Sequence, residues 1–520
     1  MPRGYTSAAT PMRRQLTRRA GNFLRILLVV LAVGVQVAIV MFLVNLLQEQ
    51  AVWVYFFIQG IAVVDIFILV GKHQNASFTM AWVLLILLLP VTGHVLYVLW
   101  GRRTKHRRMR RTLARTTPFL RKDPAVYHAF GLEHPDRKRL GGYLGRMGFP
   151  LYERSQCQYY TLGDHQFPAM LEDIRNAKRF VFLEYFILSD GKLWQEFREV
   201  LAQKAAEGVE IRVMYDDLGS LFSVPDDLAK DLSRLGIHVL VFNPIHYSTS
   251  RLYINYRNHR KVCIIDGEVA YTGGANLSDE YANYIQKFGH WKDTAIRLEG
   301  DAVWSMTVSF LQMWEAQTGE QQSFYAYRPR STMSTGDGGY YQPFMDGPMN
   351  NPDNPAESMY RSMIYNARDY VYIMSPYLIL DNTMIEALCT AALGGTDVRI
   401  ITPHQWDKWF VHQVTQSNYN KLLQAGVRIY EYTPGYIHAK TVLSDDDHCI
   451  IGSINMDYRS FFFHYENAVW MCGAPVIDDI KADFLNTLLQ STEINADHWQ
   501  QRPFHMKVVQ AFFRLFAIFF

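Results

Sequence analysis

The chain opens with three long apolar stretches and then changes to short apolar segments that alternate with amphipathic ones. The apolar stretches cover residues 26–47, 52–70 and 79–100, each close to the roughly 20 residues that a helix needs to cross a bilayer. The first stretch is too long for a signal peptide and ends without a small-residue cleavage site. We therefore predict that residues 1–111 form a retained membrane region of two or three hydrophobic helices.

Basic residues flank this region on both sides and restrict its topology. Six arginines precede the first stretch, and seven lysines and arginines follow the third. The positive-inside rule places both clusters in the cytoplasm, which requires an even number of crossings. Either one stretch is re-entrant or interfacial, or the rule fails at one end. The candidates for a non-spanning stretch are the second, with Gln59 and Asp65, and the third, with Pro90 and Gly93. The pattern predicts a multi-pass membrane protein without fixing the side that carries the rest of the chain.

Beyond residue 150 the pattern of apolar segments occurs twice. Continuous apolar runs that alternate with helical periodicity are typical of α/β folds with a mostly parallel sheet, covered by helices on both faces. In the first copy we predict strands at 180–188, 209–215 and 237–242 and a helix at 193–207; in the second, strands at 370–379, 397–402 and 427–432 and a helix at 383–393.

The repeat suggests how the chain divides. We predict an α/β fold of two pseudo-symmetric halves, residues 112–330 and 356–500. Residues 331–355, rich in Gly, Pro, Asn and Asp, are predicted to be a linker or an active-site loop. Residues 501–520 are apolar with few polar breaks, which predicts an interfacial C-terminal helix; the alternative is a terminal helix packed on the soluble part.

Charge is distributed unevenly along the chain. Residues 1–111 carry a net charge of +12 and residues 112–520 a net charge of −9. A nucleic-acid enzyme would carry basic charge on its catalytic part, whereas here the basic residues flank the apolar stretches, where anionic headgroups would meet them. The five scattered cysteines form no CxxC pair and predict neither a disulfide framework nor a zinc site. We expect lipid partners and no nucleic acid.

The most specific pattern of the chain is also repeated. In each copy an H-x-K triplet is followed by an Asp five residues after the Lys and by an Asn seventeen residues after the His. Two copies that share this spacing inside a structural repeat are very unlikely to arise by chance. The residues are His259, Lys261, Asp266 and Asn276, and His438, Lys440, Asp445 and Asn455.

These residue types suit chemistry on a phosphodiester. In an extended H-x-K segment the His and Lys side chains point to the same face, so two halves facing each other would converge two imidazoles, two ammonium groups and two amides. The lysines would neutralise the phosphate. One imidazole would attack phosphorus, and the other would protonate the leaving alkoxide. This chemistry requires no metal and no cofactor.

Over roughly residues 120–500 the repeated pattern resembles the paired HKD motifs of the phospholipase D superfamily. The resemblance implies a phosphohistidine intermediate, with His259 as the nucleophile. It marks the two Asn as phosphate-binding residues, and Asp293 and Glu466 as candidates for the acids that orient the imidazoles. The motif aspartates look more structural than catalytic. By motif, the candidate catalytic set is His259, Lys261, Asp266, His438, Lys440 and Asp445.

Residues 183–187, 273–281 and 375–377, together with the apolar termini, are similar to bacterial cardiolipin synthases. This resemblance implies an enzyme of the bacterial plasma membrane that joins two phosphatidylglycerols, giving cardiolipin and glycerol. A phospholipase D hydrolase or a phosphatidylserine synthase would use the same paired site with water or serine as the acceptor. The motifs do not separate these activities, and the oligomeric state does not follow from the sequence.

Overall fold

The computed structural model describes isolated residues between 34 and 42 and residues 49–71, 76–98, 107–244, 256–330, 333–348 and 354–519. The chain divides into two compact units, residues 1–104 with 248–252, and residues 105–247 with 253–520.

The N-terminal unit contains three described helices: α1 (Glu49–Val70), α2 (Ala76–Leu88) and α3 (Pro90–Leu96). Among the described residues, one helix is long and apolar enough to cross a membrane, Val52–Val70. The predicted stretch 26–47 lies largely outside the described residues.

The third predicted stretch does not form one straight helix. The chain breaks at Leu89, and Pro90 begins the next helix, where its missing N–H removes no helical hydrogen bond. Helix α3 folds back on α2, so a Cβ at Gly93 would lie 2.5 Å from the carbonyl oxygen of Leu85. The rings of Trp82 and Tyr97 meet with their centroids 5.4 Å apart. This stretch is therefore a helical hairpin.

The second unit contains two sheets. The first sheet and the helices that pack on it are formed by residues up to 318. Helices α4, α5 and α6 precede it: Arg107–Thr116, Pro124–Glu133 and Lys138–Arg146. The remaining elements are β1 (Ser155–Tyr160), α7 (Gly163–Arg175), β2 (Phe180–Tyr185), α8 (Lys192–Ala206), β3 (Glu210–Asp216), α9 (Leu228–Arg234), β4 (His238–Phe242), β5 (Val262–Ile265), β6 (Val269–Gly273), β7 (His290–Lys292), β8 (Ala295–Gly300) and α10 (Val303–Thr318).

The second sheet uses the rest of the chain. Its elements are β9 (Tyr340–Asp346), α11 (Pro355–Asn366), β10 (Tyr370–Met374), β11 (Leu378–Ile379), α12 (Asn382–Leu393), β12 (Asp397–Pro403), α13 (Trp409–Ser417), α14 (Tyr419–Gln424), β13 (Arg428–Tyr432), β14 (Gly435–Ile437), β15 (Thr441–Ser444), β16 (His448–Gly452), β17 (Met456–Asp457), α15 (Tyr458–Phe462), β18 (Glu466–Cys472), α16 (Val476–Leu489), β19 (Ser491–Glu493), α17 (Ala496–Gln500) and α18 (Phe504–Leu515).

The strand orders of the two sheets match. The first sheet runs β1-β8-β6-β5-β2-β3-β4, and the second runs β9-β18-β16-β15-β10-β12-β13, with β19 added at the edge. A central core contains apolar residues from both sheets and from α10 and α16, and each sheet packs its own helices on its outer face. The predicted α/β fold of two similar sheet-containing halves is confirmed.

Three features differ from the sequence predictions. The sheets are mixed. In the first sheet β2, β3 and β4 are parallel, whereas each neighbouring pair in the order β2-β5-β6-β8-β1 is antiparallel. The predicted linker 331–355 contains β9, which pairs with β18 along its whole length. Helices α5 and α6, predicted within the first half, pack on the second sheet; Phe130 meets Trp470 with ring centroids 5.9 Å apart.

Candidate active site

The paired motifs meet in one cleft of about 510 Å³ in the second unit. Each H-x-K triplet immediately precedes a central strand, β5 in the first half and β15 in the second. The two histidines and the two asparagines of the motifs line the cleft, together with aromatic and apolar residues from both halves. The other lining residues are Phe186, Ile187, Leu218, Arg257, Tyr281, Trp291, Tyr377, Ile379, Asp407, Lys408, Phe410, Val411, Tyr436, Asp457, Arg459 and His464.

His259 is oriented by an acid of the other half. Its Nδ1 lies 2.9 and 3.0 Å from the two carboxylate oxygens of Glu466, at the start of β18. The backbone fixes this pairing, because the N–H of His259 donates to the carbonyl of Tyr465 at 2.9 Å. Since a carboxylate accepts, Nδ1 carries the proton and Nε2 is the ring nitrogen left with a lone pair.

His438 is held in the reciprocal way. Its Nδ1 lies 2.6 Å from Oδ2 of Asp293, which follows β7 in the first half. Strands β7 and β14 pair in parallel, and the N–H of His438 donates to the carbonyl of Lys292 at 2.7 Å. The structure therefore places both predicted orienting acids beside imidazoles, each beside the histidine of the opposite half.

The residue two positions before each motif Asn explains how these acids fit. An added Cβ at Gly274 would lie 2.1 Å from Oδ1 of Asp293, so only glycine leaves room for that carboxylate. The equivalent position in the second half is Ser453, whose hydroxyl instead donates to Glu466. The asymmetry of Gly against Ser thus matches the asymmetry of Asp293 against Glu466.

The two motif lysines are buried beside their own histidines. Lys261 and Lys440 each donate from Nζ to the carbonyl of the His two residues earlier. Lys440 Nζ also lies 2.8 Å from Nδ1 of His438, whereas Lys261, among the described residues, makes no such contact with the His259 ring. An ammonium group beside Nδ1 makes His438 electrostatically different from His259, whose Nδ1 faces the carboxylate of Glu466.

The motif asparagines differ in how they are bonded. Asn276 accepts from the backbone N–H of Ile187 at 3.0 Å and donates to the Tyr281 hydroxyl at 2.8 Å. Asn455 donates to Asp457 at 3.1 Å, and its buried Oδ1 has no hydrogen-bond partner among the described residues. Both amides therefore stand at the cleft wall, where an amide N–H can meet a phosphate oxygen.

The motif aspartates lie elsewhere, which corrects their place in the catalytic set. The Asp266 carboxylate accepts three backbone N–H groups at 2.7–2.9 Å, from residues 178 to 180. The Asp445 carboxylate likewise accepts the N–H groups of residues 368 to 370 and pairs with Arg137 at 2.9 Å. Both residues have a positive φ, and neither lines the cleft. They anchor the turns that enter β2 and β10.

Burial governs the electrostatics of the cleft. Loss of water, reinforced by the neighbouring ammonium groups, holds the pKa of His259 well below its usual value and lowers the pKa of His438 to about 4. Burial also lowers the pKa of Lys440 to about 8 and that of Lys261 well below its usual value. Both imidazoles are therefore neutral at pH 7, the form that a nitrogen nucleophile requires.

Sequence reasoning missed a third histidine, His464. Its ring lies beside that of His259, with centroids 5.3 Å apart, and Arg459 Nε donates to its Nε2 at 3.1 Å. Its Nδ1 is buried 3.7 Å from a Glu466 oxygen and has no hydrogen-bond partner in the part of the chain that the structure describes. Its position beside the predicted Glu466 was the only signal in the sequence.

One group of side chains could accept a metal ion within the part of the chain that the structure describes. Single ligand atoms of His259, His464 and Glu466 all lie within 4.8 Å of one another. Two imidazoles and a carboxylate are ligands that Zn²⁺ accepts. Because His259 and Glu466 already bond to each other, a metal here would compete with the contact that orients His259.

Known proteins similar to this chain include several cardiolipin synthases. The family described as "Cardiolipin synthase, PLD-like domain" matches residues 170–297 and 360–488, and "Phospholipase_D-nuclease N-terminal" matches residues 57–102. Cardiolipin synthase 2 of Bacillus cereus is 34% identical over 86% of this chain and 87% of its own length. Cardiolipin synthase of Alkalihalophilus pseudofirmus is 32% identical over 86% of this chain and 90% of its own length.

Two further likenesses complete the comparison. An uncharacterized protein of Streptococcus mutans is 39% identical over 86% of this chain and 98% of its own length. The crystal structure of phosphatidylserine synthase from Haemophilus influenzae superposes with a TM-score of 0.58 at 14% identity, covering 74% of this chain and 99% of that chain. At that identity the structural likeness shows the fold alone.

Proposed function

The chain belongs to the cardiolipin synthase family of the phospholipase D superfamily and is a phosphatidyltransferase, and from this premise we propose that it joins two phosphatidylglycerols through a phosphohistidine intermediate. One observation carries the proposal. Two buried imidazoles in one cleft each bond through Nδ1 to a carboxylate of the opposite half. This leaves an Nε2 on each ring for chemistry at phosphorus.

We assign the nucleophile to His259. Its Nδ1–H donates to the Glu466 carboxylate, which stabilises the positive charge that the ring acquires when Nε2 bonds to phosphorus. The Lys440 ammonium beside Nδ1 of His438 opposes a positive charge on that ring. His438 is therefore the better proton carrier, because an imidazolium there gives up its proton easily.

The first step transfers the phosphatidyl group to His259. Nε2 of His259 attacks phosphorus of one phosphatidylglycerol, the bond from phosphorus to the glycerol oxygen breaks, and imidazolium His438 protonates the departing alkoxide. The phosphate charge would be balanced by Lys261 and Lys440, and its oxygens would accept hydrogen bonds from the amides of Asn276 and Asn455. The incoming phosphate anion offsets the ammonium charges, and we expect it to raise the pKa of His438 towards the value that a general acid needs.

The second step reverses the roles. A hydroxyl of a second phosphatidylglycerol attacks phosphorus, and neutral His438 takes its proton. The bond from phosphorus to Nε2 of His259 breaks, releasing cardiolipin and restoring the neutral histidine. Transfer to lipid instead of water requires a cleft that is poor in water. The aromatic residues Phe186, Tyr281 and Trp291 in its lining support that condition.

The decisive experiment is a product assay on the purified full-length protein. Vesicles containing phosphatidylglycerol are supplied, and cardiolipin, phosphatidic acid and free glycerol are quantified. Equal amounts of cardiolipin and glycerol are expected, and both should vanish in His259→Ala and His438→Ala variants that keep their thermal stability. Phosphatidic acid without cardiolipin would make the protein a hydrolase. Phosphatidylserine formed when serine, alone or with CDP-diacylglycerol, is added would make it a phosphatidylserine synthase.

We also propose that the protein is a multi-pass protein of the plasma membrane, with residues 26–47 and 52–70 as its crossings. The hairpin formed by α2 and α3 supports a re-entrant third stretch, because a chain that folds back returns to the side it entered from. Both basic clusters then lie on the cytoplasmic side. Modification of single cysteines placed before residue 26 and near residue 105 tests this; labelling from opposite sides of intact vesicles would contradict it.

The domain limits of the catalytic part follow from its internal repeat. We propose that the first half ends at α10 and that the second begins with β9, since β9 completes the second sheet as β1 completes the first. A protein split between residues 330 and 340 and co-expressed as two fragments is expected to assemble into active enzyme. Fragments that fold separately and stay apart would contradict the shared core.

A further inference from the structure

The C-terminal helix α18 has two distinct faces. One face packs along α13: Gln510 is buried and approaches Gln413, and Phe513 meets the ring of Trp409 at 5.4 Å between centroids. The opposite face exposes apolar side chains at positions spaced by four, four and three residues, which is one stripe of a helix. That stripe consists of Phe504, Val508, Phe512 and Leu515, exposed by 80, 49, 55 and 55%.

The charge around this stripe has one sign. Lys507 and Arg514 are exposed seven residues apart, and therefore lie on one edge of the stripe. No Asp or Glu occurs after Asp497 in the whole sequence. An apolar stripe flanked by exposed lysine and arginine, without acids, is the pattern of a helix that lies in the headgroup region of an anionic bilayer.

The helix that carries the stripe packs on a wall of the active-site cleft. Helix α13, on which α18 packs, contributes Phe410 and Val411 to the cleft lining. The cleft residues Asp407 and Lys408 lie between two half-exposed tryptophans, Trp406 and Trp409. Tryptophan side chains concentrate at membrane interfaces, because their rings are apolar and their N–H groups remain hydrogen-bonded.

The end of the chain is tied to a second wall of the cleft. Beyond α18, Ala517 and Ile518 are buried, and the turn that contains them packs against α15. Helix α15 carries Arg459, which lines the cleft and donates to His464. The exposed stripe is thus fixed rigidly to the two elements that border the cleft on this side.

We infer that α18, together with Trp406 and Trp409, is the surface by which the catalytic unit docks on an anionic lipid bilayer, with the cleft facing the headgroups. The choice of a bilayer as the occupant rests on the proposed function, since a phospholipid must reach the cleft without crossing water. Docking here lets a lipid pass from the bilayer to His259 while its acyl chains stay in the apolar phase.

The docking surface is tested on the full-length protein in vesicles of phosphatidylglycerol and phosphatidylcholine. Nitroxide labels are attached at Phe512→Cys and, as a matched control, at Leu393→Cys; Leu393 is also an exposed apolar helix residue, 74% exposed, and does not line the cleft. The unsubstituted protein measures background from the five native cysteines. Collision rates with oxygen, which concentrates in the bilayer, and with a water-soluble nickel chelate are compared.

At position 512 we expect oxygen collisions to exceed chelate collisions by several-fold relative to position 393. Equal ratios at both positions would overturn the inference, and so would shielding of position 512 from both reagents, which would show a protein partner or a second copy on the stripe. These results do not depend on the reaction catalysed. If the label lies in the bilayer but no cardiolipin is formed, the docking surface would be supported and the proposed function would be wrong.

A second measurement uses activity. The double variant Val508→Ser with Phe512→Ser removes two apolar side chains from the stripe, and we expect its kcat/KM on vesicles to fall by about tenfold or more. In detergent micelles, where no bilayer must be reached, its activity should stay within about twofold of the unsubstituted protein. Leu393→Ser is the control on both substrates. Equal losses in vesicles and micelles, or no loss in vesicles, would contradict docking through α18.

Discussion

Replacement of Glu466 by Gln tests the orienting contact with almost no change of shape. The side-chain amide oxygen of Gln can still accept from Nδ1 of His259, and its NH₂ group can donate to the hydroxyl of Ser453, which now donates to Glu466. The substitution therefore removes the negative charge while keeping the hydrogen-bond geometry. What is lost is the stabilisation of the cationic ring in the phosphohistidine.

The magnitude follows from the burial of this pair. Glu466 is fully buried and His259 nearly so, with N···O distances of 2.9 and 3.0 Å. A hydrogen bond to a charged group contributes about 1.5–3 kcal/mol, which corresponds to roughly 10- to 150-fold in rate. Because the imidazole gains its positive charge in the transition state, we expect this loss mainly in kcat.

The assay is a single turnover with phosphatidylglycerol labelled in its phosphate, in which the phosphatidyl-enzyme is trapped by rapid denaturation at neutral or alkaline pH. Glu466→Gln should form this species about 100-fold more slowly, within the range set by the charged hydrogen bond. Glu315→Gln is the matched control, because Glu315 is also buried but pairs with Arg115 outside the cleft. A Glu466→Gln variant that forms the intermediate within about threefold of the normal rate, at unchanged Tm, would refute the role of this carboxylate.

Four further predictions follow from the same geometry. The pKa of His438 is lowered to about 4, so below pH 6.5 the unfolded chain takes up a proton that the folded site excludes. The free energy of unfolding should therefore fall as the pH is lowered from 6.5 to 4. The variant His438→Gln should lessen this fall by about 3 kcal/mol, measured by denaturation in detergent. Asp266→Ala and Asp445→Ala should each lower the free energy of unfolding by about 2–4 kcal/mol through the lost backbone hydrogen bonds and the positive φ, while purified folded enzyme keeps its kcat; a large loss of kcat at full stability would contradict their turn role. Gly274→Ala should displace the Asp293 carboxylate and lower kcat about 100-fold, whereas normal activity would show that the strand can shift without cost. Chelators should leave activity largely unchanged, and a loss restored by one metal alone would point to the cluster around His464.

Much of the molecule is determined by local sequence. Strands β2, β3, β10 and β12 and helices α8 and α12 all begin within one residue of their predicted starts. Continuous apolar runs and helical periodicity act over a few residues, so they are legible without knowledge of the fold. The repeated H-x-K and Asn spacing likewise identified the residues that converge in the cleft.

The sheet composition was decided by distant partners. Strand β9 lies in a segment with many turn-forming residues, and its extended form is stabilised by pairing with β18, more than 100 residues later. Strands β5 and β6 are joined by a short turn, and β8 pairs antiparallel with β6 after the longer segment that contains β7; apolar runs alone do not distinguish this arrangement from parallel strands. Their direction depends on the connections and not on the composition of each strand.

That each orienting acid contacts the histidine of the opposite half could not be predicted from the sequence. Asp293 follows the motif of the first half and Glu466 that of the second, so distance along the chain gives no reason for either acid to face the opposite histidine. Pairing of β7 with β14, and of Asn258 with Tyr465, brings these segments together across the interface of the halves. Local sequence determines which side chains are available for catalysis, whereas packing between distant segments decides which of them touch, because a side-chain hydrogen bond requires contact within about 3 Å.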